Sequence, residues 1–313
     1  MRDFRFSCNV FAIRSADGFT GYCQAAERFG YDTVFSADHL GSPAPFTPLV
    51  TAAAATRRLR VGTLVLNAGF WNPHLLAREV ATADVLTGGR LELGLGAGHM
   101  KWEFDVAGLP WRPLAERVGL LEWALDEMER IFGSGGYPQD QAYRDAYDVP
   151  PLAPVQRRGL NGTGPPLLLG GTGDGMLRLA ARRADTVAVG GVFQMPGKPP
   201  GTFRIATAAE ADERAAFVRR EAGDRAGDLE LHALIQVVVV TGDRAAAARD
   251  MVAERLPYLT VDELLETPFV LIGTEQEIAG QLIERRERYG FSYITVHEPY
   301  MATFGPVIER LRG

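Results

Sequence analysis

Two kinds of hydrophobic patterning alternate along the whole chain. In one, apolar residues follow each other almost without interruption; in the other they return every three or four positions. Runs of the first kind, bounded by Gly, Pro, Asp and Asn, predict strands over 4–11 (FRFSCNVF), 31–37 (YDTVFSA), 59–67 (LRVGTLVLN), 90–96 (RLELGLG), 165–171 (PPLLLGG), 185–191 (DTVAVGG), 231–242 (LHALIQVVVVTG) and 291–298 (FSYITVHE). The second kind predicts helices. One ends near Gly30, and one covers roughly 47–57. One opens on Asn72-Pro73, with Leu76, Val80 and Ala83 on a single face. The clearest runs over 114–132, where Leu114, Val118, Leu121, Leu125, Met128 and Phe132 form one stripe until Gly133 stops it. A closing helix buries Phe304, Val307, Ile308 and Leu311.

Near-continuous apolar strands, each followed by a helix, describe a parallel sheet covered on its outer face. Eight consecutive units favour closure into a (β/α)8 TIM barrel over an open doubly wound sheet. Residues 134–164 and 191–207 break the pattern and read as insertions. Nothing in the composition marks a linker, so the expectation is one domain over 1–313.

Composition narrows the functional classes. A net charge of −6 argues against a nucleic-acid surface, which needs a concentrated basic face. Cys8 and Cys23 are the only cysteines and lack metal-site spacing, so reduced, half-buried thiols are expected and a structural zinc site is not. The opening MRDFRFSCNVF has no signal-peptide core, and no apolar run approaches the ~20 residues of a membrane span. The expectation is a soluble, cytoplasmic protein with no nucleic-acid or membrane partner.

In a barrel, chemistry belongs on the loops after the strands. Those ends carry Asn9 and Phe11, Asp38-His39, Leu64 to Asn67, Ala97 to His99, Gly170 to Gly173, Gln236 and His297-Glu298. What is missing decides more. No lysine lies on a strand, no HxH metal pair exists, and no serine or cysteine sits on a nucleophile elbow. Such a face can hold a cofactor but has little chemistry of its own. The stretch GLGAGH (94–99) suggests a dinucleotide loop, yet its last required glycine is His99 and it lies far from the first βα turn. Paired with LLLGGTGDG (167–175) on the neighbouring strand, it reads as a rim whose backbone amides cradle phosphate or other anions.

Four segments then carry a resemblance: GYDTVFSADHL (30–40), RVGTLVLNAGFWNP (60–73), GGRLELGLGAGHMKWEF (88–104) and PPLLLGGTG (165–173). In this order they resemble the bacterial luciferase-like flavin and deazaflavin enzymes, most nearly the branch that uses coenzyme F420. The resemblance implies a (β/α)8 barrel with a flavin-type ring across the strand ends, and a non-proline cis peptide at Leu64–Val65 behind that ring. Asn67 lies just beyond it. Ala97, Gly98 and His99 would then contact the ring and ribityl phosphate, and Gly170, Gly171 and Thr172 the phosphate side. His39 corresponds to the histidine at the reacting edge. The deazaflavin sugar-phosphate dehydrogenases of this family carry a glutamate where this chain has His99 and hold substrate phosphate with lysines and arginine, so a sugar phosphate is not expected. The family also implies a homodimer.

These readings assign roles. His39 acts as general acid or base, with Asp38 orienting or tuning it. Phe70, Trp71 and Trp102 form an apolar wall, with Asn9 and Phe11 completing the pocket. Glu103 is a structural acceptor near a helix start, His99 lines the pocket, and His232 and His297 are core or rim residues. Glu92 points inward and needs a partner, with Arg60 the candidate. The expected activity is F420-dependent hydride transfer to or from a small organic substrate. The alternatives are an FMN-dependent monooxygenase of the same fold and a non-catalytic ligand-binding barrel.

Overall fold

The computed structural model describes residues 2–313. Eight parallel strands form the barrel: β1 (Arg5–Val10), β2 (Thr33–Ser36), β3 (Arg60–Thr63), β4 (Leu91–Gly96), β5 (Leu167–Gly171), β6 (Thr186–Val189), β7 (Glu230–Ile235) and β8 (Phe291–His297). Each pairs with the next in that order, β8 returns to β1, and no edge is left open. Strand β4 shows why these segments read as near-continuous apolar runs: all six residues are buried, against the barrel interior on one side and helices on the other.

The third and seventh strands are more broken than their hydropathy suggests. Strand β3 stops at Thr63, the Leu64–Val65 peptide is cis, and a two-residue strand, Leu66–Asn67, resumes pairing with β4. The apolar run 231–242 is two strands. At Gln236 the chain leaves the barrel, and Val237–Val240 pairs in parallel with Val270–Gly273, a strand that the sequence pattern does not reveal. Hydropathy cannot show this break, because both halves are apolar runs, ALI before Gln236 and VVVV after it; the change of partner is made by Gln236 N–H, which donates to Phe269 O at 2.8 Å. The insertion 191–207 is an antiparallel hairpin, Val192–Gln194 with Phe203–Ile205. The excursion 134–164 carries a short helix, Gln141–Tyr147, and then returns to the core through buried Gln156 and Leu160.

The lower barrel interior is polar. Glu92 points inward, receives Arg60 Nε at 2.6 Å and Tyr293 O–H at 3.1 Å, and is also bonded to Arg5. Arg60 is thus a partner as expected; Arg5, which also holds Glu230 at 2.8 Å, is an unforeseen second one. Burial alone would raise the Glu92 pKa, but Arg5 and Arg60 outweigh it and hold it below the ordinary carboxylate value. A carboxyl with a lowered folded pKa adds stability above its unfolded value and loses it as pH falls through the folded one. Glu230, pushed up by burial, works in the opposite sense. Urea midpoints measured from pH 6 down to about 3 are therefore expected to fall more steeply in the wild type than in Glu92→Gln, the unfolded carboxyl titrating near 4.3.

Both cysteines are fully buried rather than half-buried: Cys8 lies on β1 and Cys23 on the first helix, Ala16–Arg28. Burial pushes both thiols up to about 12. A thiol-specific disulfide reagent is expected to react with neither in the native protein and with both in guanidinium.

Candidate active site at the mouth of the barrel

The C-terminal ends of the strands surround a cleft whose floor is apolar. Phe35, Leu168, Ala188 and Tyr293 form the top interior layer, and Leu64 and Val65 pack on it from the interrupted third strand. The glycines of β4 face this interruption. A Cβ on Gly94 would overlap the Thr63 carbonyl oxygen, and one on Gly96 would stand 2.8 Å from Val65 Cγ2. Gly98, at φ +75°, lies under the Asn67 amide. On β5, a Cβ on Gly171 would meet Met176 Cγ at 2.5 Å. These glycines therefore also meet a packing requirement within the protein, beside the anion-cradling role expected of their backbone amides. The rim is held from outside by Arg117, which bonds the Ala97 and Gly98 carbonyls and stacks on Trp111 with its guanidinium carbon 3.8 Å from the ring centre.

His39 and its partners sit on this rim. His39 Nδ1 lies 2.9 Å from Glu103 Oε1, and the same oxygen accepts Leu40 N–H at 3.2 Å. Glu103 is 1% exposed and stands in the first turn of the short helix Lys101–Val106. A carboxylate can only accept here, so Nδ1 carries a proton and turns Nε2 toward the mouth, with no protein partner among the described residues. Asp38 makes no hydrogen bond to His39, so of the expected orienting or tuning role the orienting part falls to Glu103. Asp38 Oδ2 accepts Asn67 N–H at 3.1 Å and Trp71 Nε1–H at 2.9 Å, and so ties the second strand end to the third. Burial raises the Asp38 pKa, while those two hydrogen bonds oppose the shift.

His99 meets His39 edge to face, with ring centres 5.4 Å apart, and meets Phe203 of the insertion hairpin at the same separation. Desolvation in this crowded mouth, helped by His39 against a pull from Glu103, lowers the His99 pKa to about 4. His99 is therefore neutral at pH 7, a hydrogen-bonding group rather than an anion clamp. Phe203 was not foreseen: the insertion showed no periodicity that would aim one of its aromatics at the mouth.

The expected pocket residues divide. Asn9 is buried against His297 Nδ1 at 3.1 Å, and Phe11 stacks on the His297 ring with centres 5.0 Å apart. Trp102 is half exposed. Phe70 packs on Phe104, and the Trp71 indole is committed to Asp38, so Trp71 braces the cleft instead of walling it. Thr172 and Gly170 lie one strand away from the β4 glycines, with Gly170 in contact range of Val65. Behind them the helix Asp174–Arg183 opens on Gly173 with no side-chain cap, leaving first-turn N–H groups free beside Thr172.

A flavin-type ring with a ribityl phosphate fits this arrangement. Asn67 is 5% exposed and its Nδ2 has no partner, so a buried donor awaits a carbonyl or ring nitrogen at the rim. The uncapped helix start beside Thr172 suits a phosphate, while the nearby Arg214, bonded to Thr172 O at 3.1 Å, is already paired with Asp174 and Glu213. Leu64 and Val65 offer an apolar backing. Among the described residues no cluster of His, Cys, Asp and Glu suits a metal ion, and no helix is long and apolar enough to cross a membrane.

The chain can now be set beside known proteins. A family model described as luciferase-like monooxygenase matches residues 7–261. An F420-dependent glucose-6-phosphate dehydrogenase of Beutenbergia cavernae is 32% identical over 196 residues, covering 58% of this chain and 54% of that one, about half the relative's length. Among solved structures, a long-chain alkane monooxygenase superposes with a TM-score of 0.72 at 14% identity, covering 100% of this chain and 92% of the other. An F420-dependent secondary alcohol dehydrogenase bound to an F420-acetone adduct superposes with a TM-score of 0.68 at 19% identity, covering 98% and 97%.

Proposed function

Because this chain belongs to the luciferase-like monooxygenase family, we propose that it is an F420-dependent oxidoreductase acting on a small organic alcohol or carbonyl compound. The observation that carries this reading is the unengaged His39 Nε2, fixed by Glu103 at the rim where the Asn67 amide waits for a partner. Bound F420 supplies the hydride acceptor or donor. The protein supplies the rest. Asn67 and the free N–H groups beside Thr172 position the cofactor, and Leu64 and Val65 back it. His39 Nε2 takes the hydroxyl proton as the alcohol is oxidised, and returns it in the opposite direction. Neutral His99 and Phe203 close the mouth above His39.

A sugar phosphate is not the proposed substrate, although several relatives are named for glucose 6-phosphate. Three cations on the mouth loops and hairpin are already committed. Lys101 pairs with Asp105 at 2.6 Å, Arg204 pairs with Glu210, and Arg117 holds the rim carbonyls. A second reading, a monooxygenase using reduced FMN, draws support from the family's own description.

Titration of the protein with F420, followed by the cofactor's fluorescence, tests the cofactor. Saturable quenching supports the proposal, and no quenching overturns it. Substrate-dependent oxygen uptake with reduced FMN supports the second reading. We propose that the protein works as a homodimer in the cytoplasm; sedimentation at micromolar concentration tests the first point.

A further inference from the structure

We propose that the opposite, N-terminal face of the barrel carries a second site, built to hold a phosphate-sized oxyanion among Arg2, Arg219 and Arg286. A pocket of about 210 Å³ lies there, lined by these three arginines together with Gly290 and Ser292, and no carboxylate lines it. It sits where β7 and β8 begin. The six residues of β7 separate it from the catalytic mouth by about 20 Å at the usual rise per residue.

Three features call for an anion. First, the recorded partners of all three guanidinium groups are main-chain oxygens. Arg2 donates to Asp228 O at 2.6 Å, Arg219 to Tyr289 O at 2.6 Å, and Arg286 to Arg2 O at 3.4 Å. Three guanidinium groups therefore line one pocket with no carboxylate among its lining residues, where an oxyanion would meet charge-assisted donors. Glu230, which feels Arg2 electrostatically, is already paired with Arg5 inside the barrel. Second, Ser292, a lining residue of the pocket, is 2% exposed and its buried Oγ has no hydrogen-bond partner; Arg286 Nε is buried and unpartnered as well. Orphaned buried donors of this kind need a ligand to satisfy them. Third, the backbone makes room for the cluster. Gly290, the left-handed C-cap of the helix Glu275–Tyr289 at φ +86°, leaves room beside the Arg219 guanidinium, whose Nη2 would lie 2.7 Å from a Cβ there. The Phe4 ring supports Arg286 from the other side, 4.1 Å from its guanidinium carbon.

The ligand class is a tetrahedral oxyanion, either inorganic phosphate or the end of a phosphate monoester. Calorimetry on the full chain, at constant ionic strength set with sodium chloride, tests this with inorganic phosphate in one arm and glycerol 3-phosphate in the other. A saturable component is expected in the wild type and in His39→Asn, weakened by about tenfold or more in Arg219→Gln and Arg286→Gln. Ser292→Ala removes only the unpartnered hydroxyl, so its melting temperature should be unchanged while its phosphate affinity falls. Tighter binding of glycerol 3-phosphate identifies a monoester end, and tighter binding of the free ion identifies inorganic phosphate. Absence of saturable heat overturns the proposal. So does binding that survives unchanged in Ser292→Ala and in both arginine variants, or that disappears in His39→Asn.

Discussion

Turnover by the His39→Asn protein is expected to fall about 10²–10⁴-fold, the usual contribution of a positioned proton carrier, while F420 affinity changes little. The asymmetry follows from the geometry. The groups proposed to face the cofactor are Asn67, Leu64, Val65 and the amides near Thr172, none of which bonds to His39. Glu103 is proposed to act through His39, as a positioning residue. Glu103→Gln keeps an oxygen that can accept from Nδ1 and from Leu40 N–H, so it should retain more activity than Glu103→Ala, with the loss in kcat and little change in KM. Equal losses in the two variants, or a loss that follows unfolding by circular dichroism, would make Glu103 a purely structural residue. Full turnover by His39→Asn would remove the proton carrier from the proposal and favour a barrel that only binds its ligand.

The largest stability effect is expected at Gly94. An alanine methyl there has no free volume, because it would overlap the Thr63 carbonyl oxygen, a backbone atom that cannot rotate away. Thr63 is also fastened to Gly94 at both its N–H and its C=O, at 2.8 Å each through the threonine hydroxyl. Relief requires β3 and β4 to separate. Gly94→Ala should therefore cost about 3 kcal/mol or more in urea unfolding, and it should weaken F420 binding by displacing Val65. Gly119→Ala is the matched control. It lies on the exposed face of the helix Leu114–Gly133 with nothing within 4 Å of the added methyl, and should stabilise the protein by about 0.5–1 kcal/mol. Similar behaviour of the two variants would sink the packing account of the β4 glycines.

Most of the barrel was legible because burial on both faces writes itself into the chain as uninterrupted hydrophobicity. The Leu114–Gly133 helix was legible for the complementary reason: only one stripe of it is buried, centred on Leu121, Leu125, Met128 and Phe132. What stayed hidden depends on partners far along the chain. The run 231–242 reads as one strand because no residue in it records that Val237 will pair with Val270. The orienting group for His39 was sought in the adjacent Asp38, whereas the bond is made by Glu103, 64 positions later. Glu103 itself was recognised as an acceptor, but one for a helix end. The packing demand on the glycines was not legible, since a requirement for small size looks the same in a sequence whether a ligand or a neighbouring carbonyl imposes it. Phe203 had no signal at all.

The hairpin that carries Phe203 has a consequence for how this protein can diversify. It is inserted between the end of β6 and the helix Ala208–Ala222, and its two strands pair only with each other. No barrel strand borrows a hydrogen-bonding edge from it, so natural variation can lengthen, shorten or recolour it without renegotiating the architecture below. Selection for new reactants thus has an inexpensive place to act, one remote from the rigid parts that folding cannot surrender.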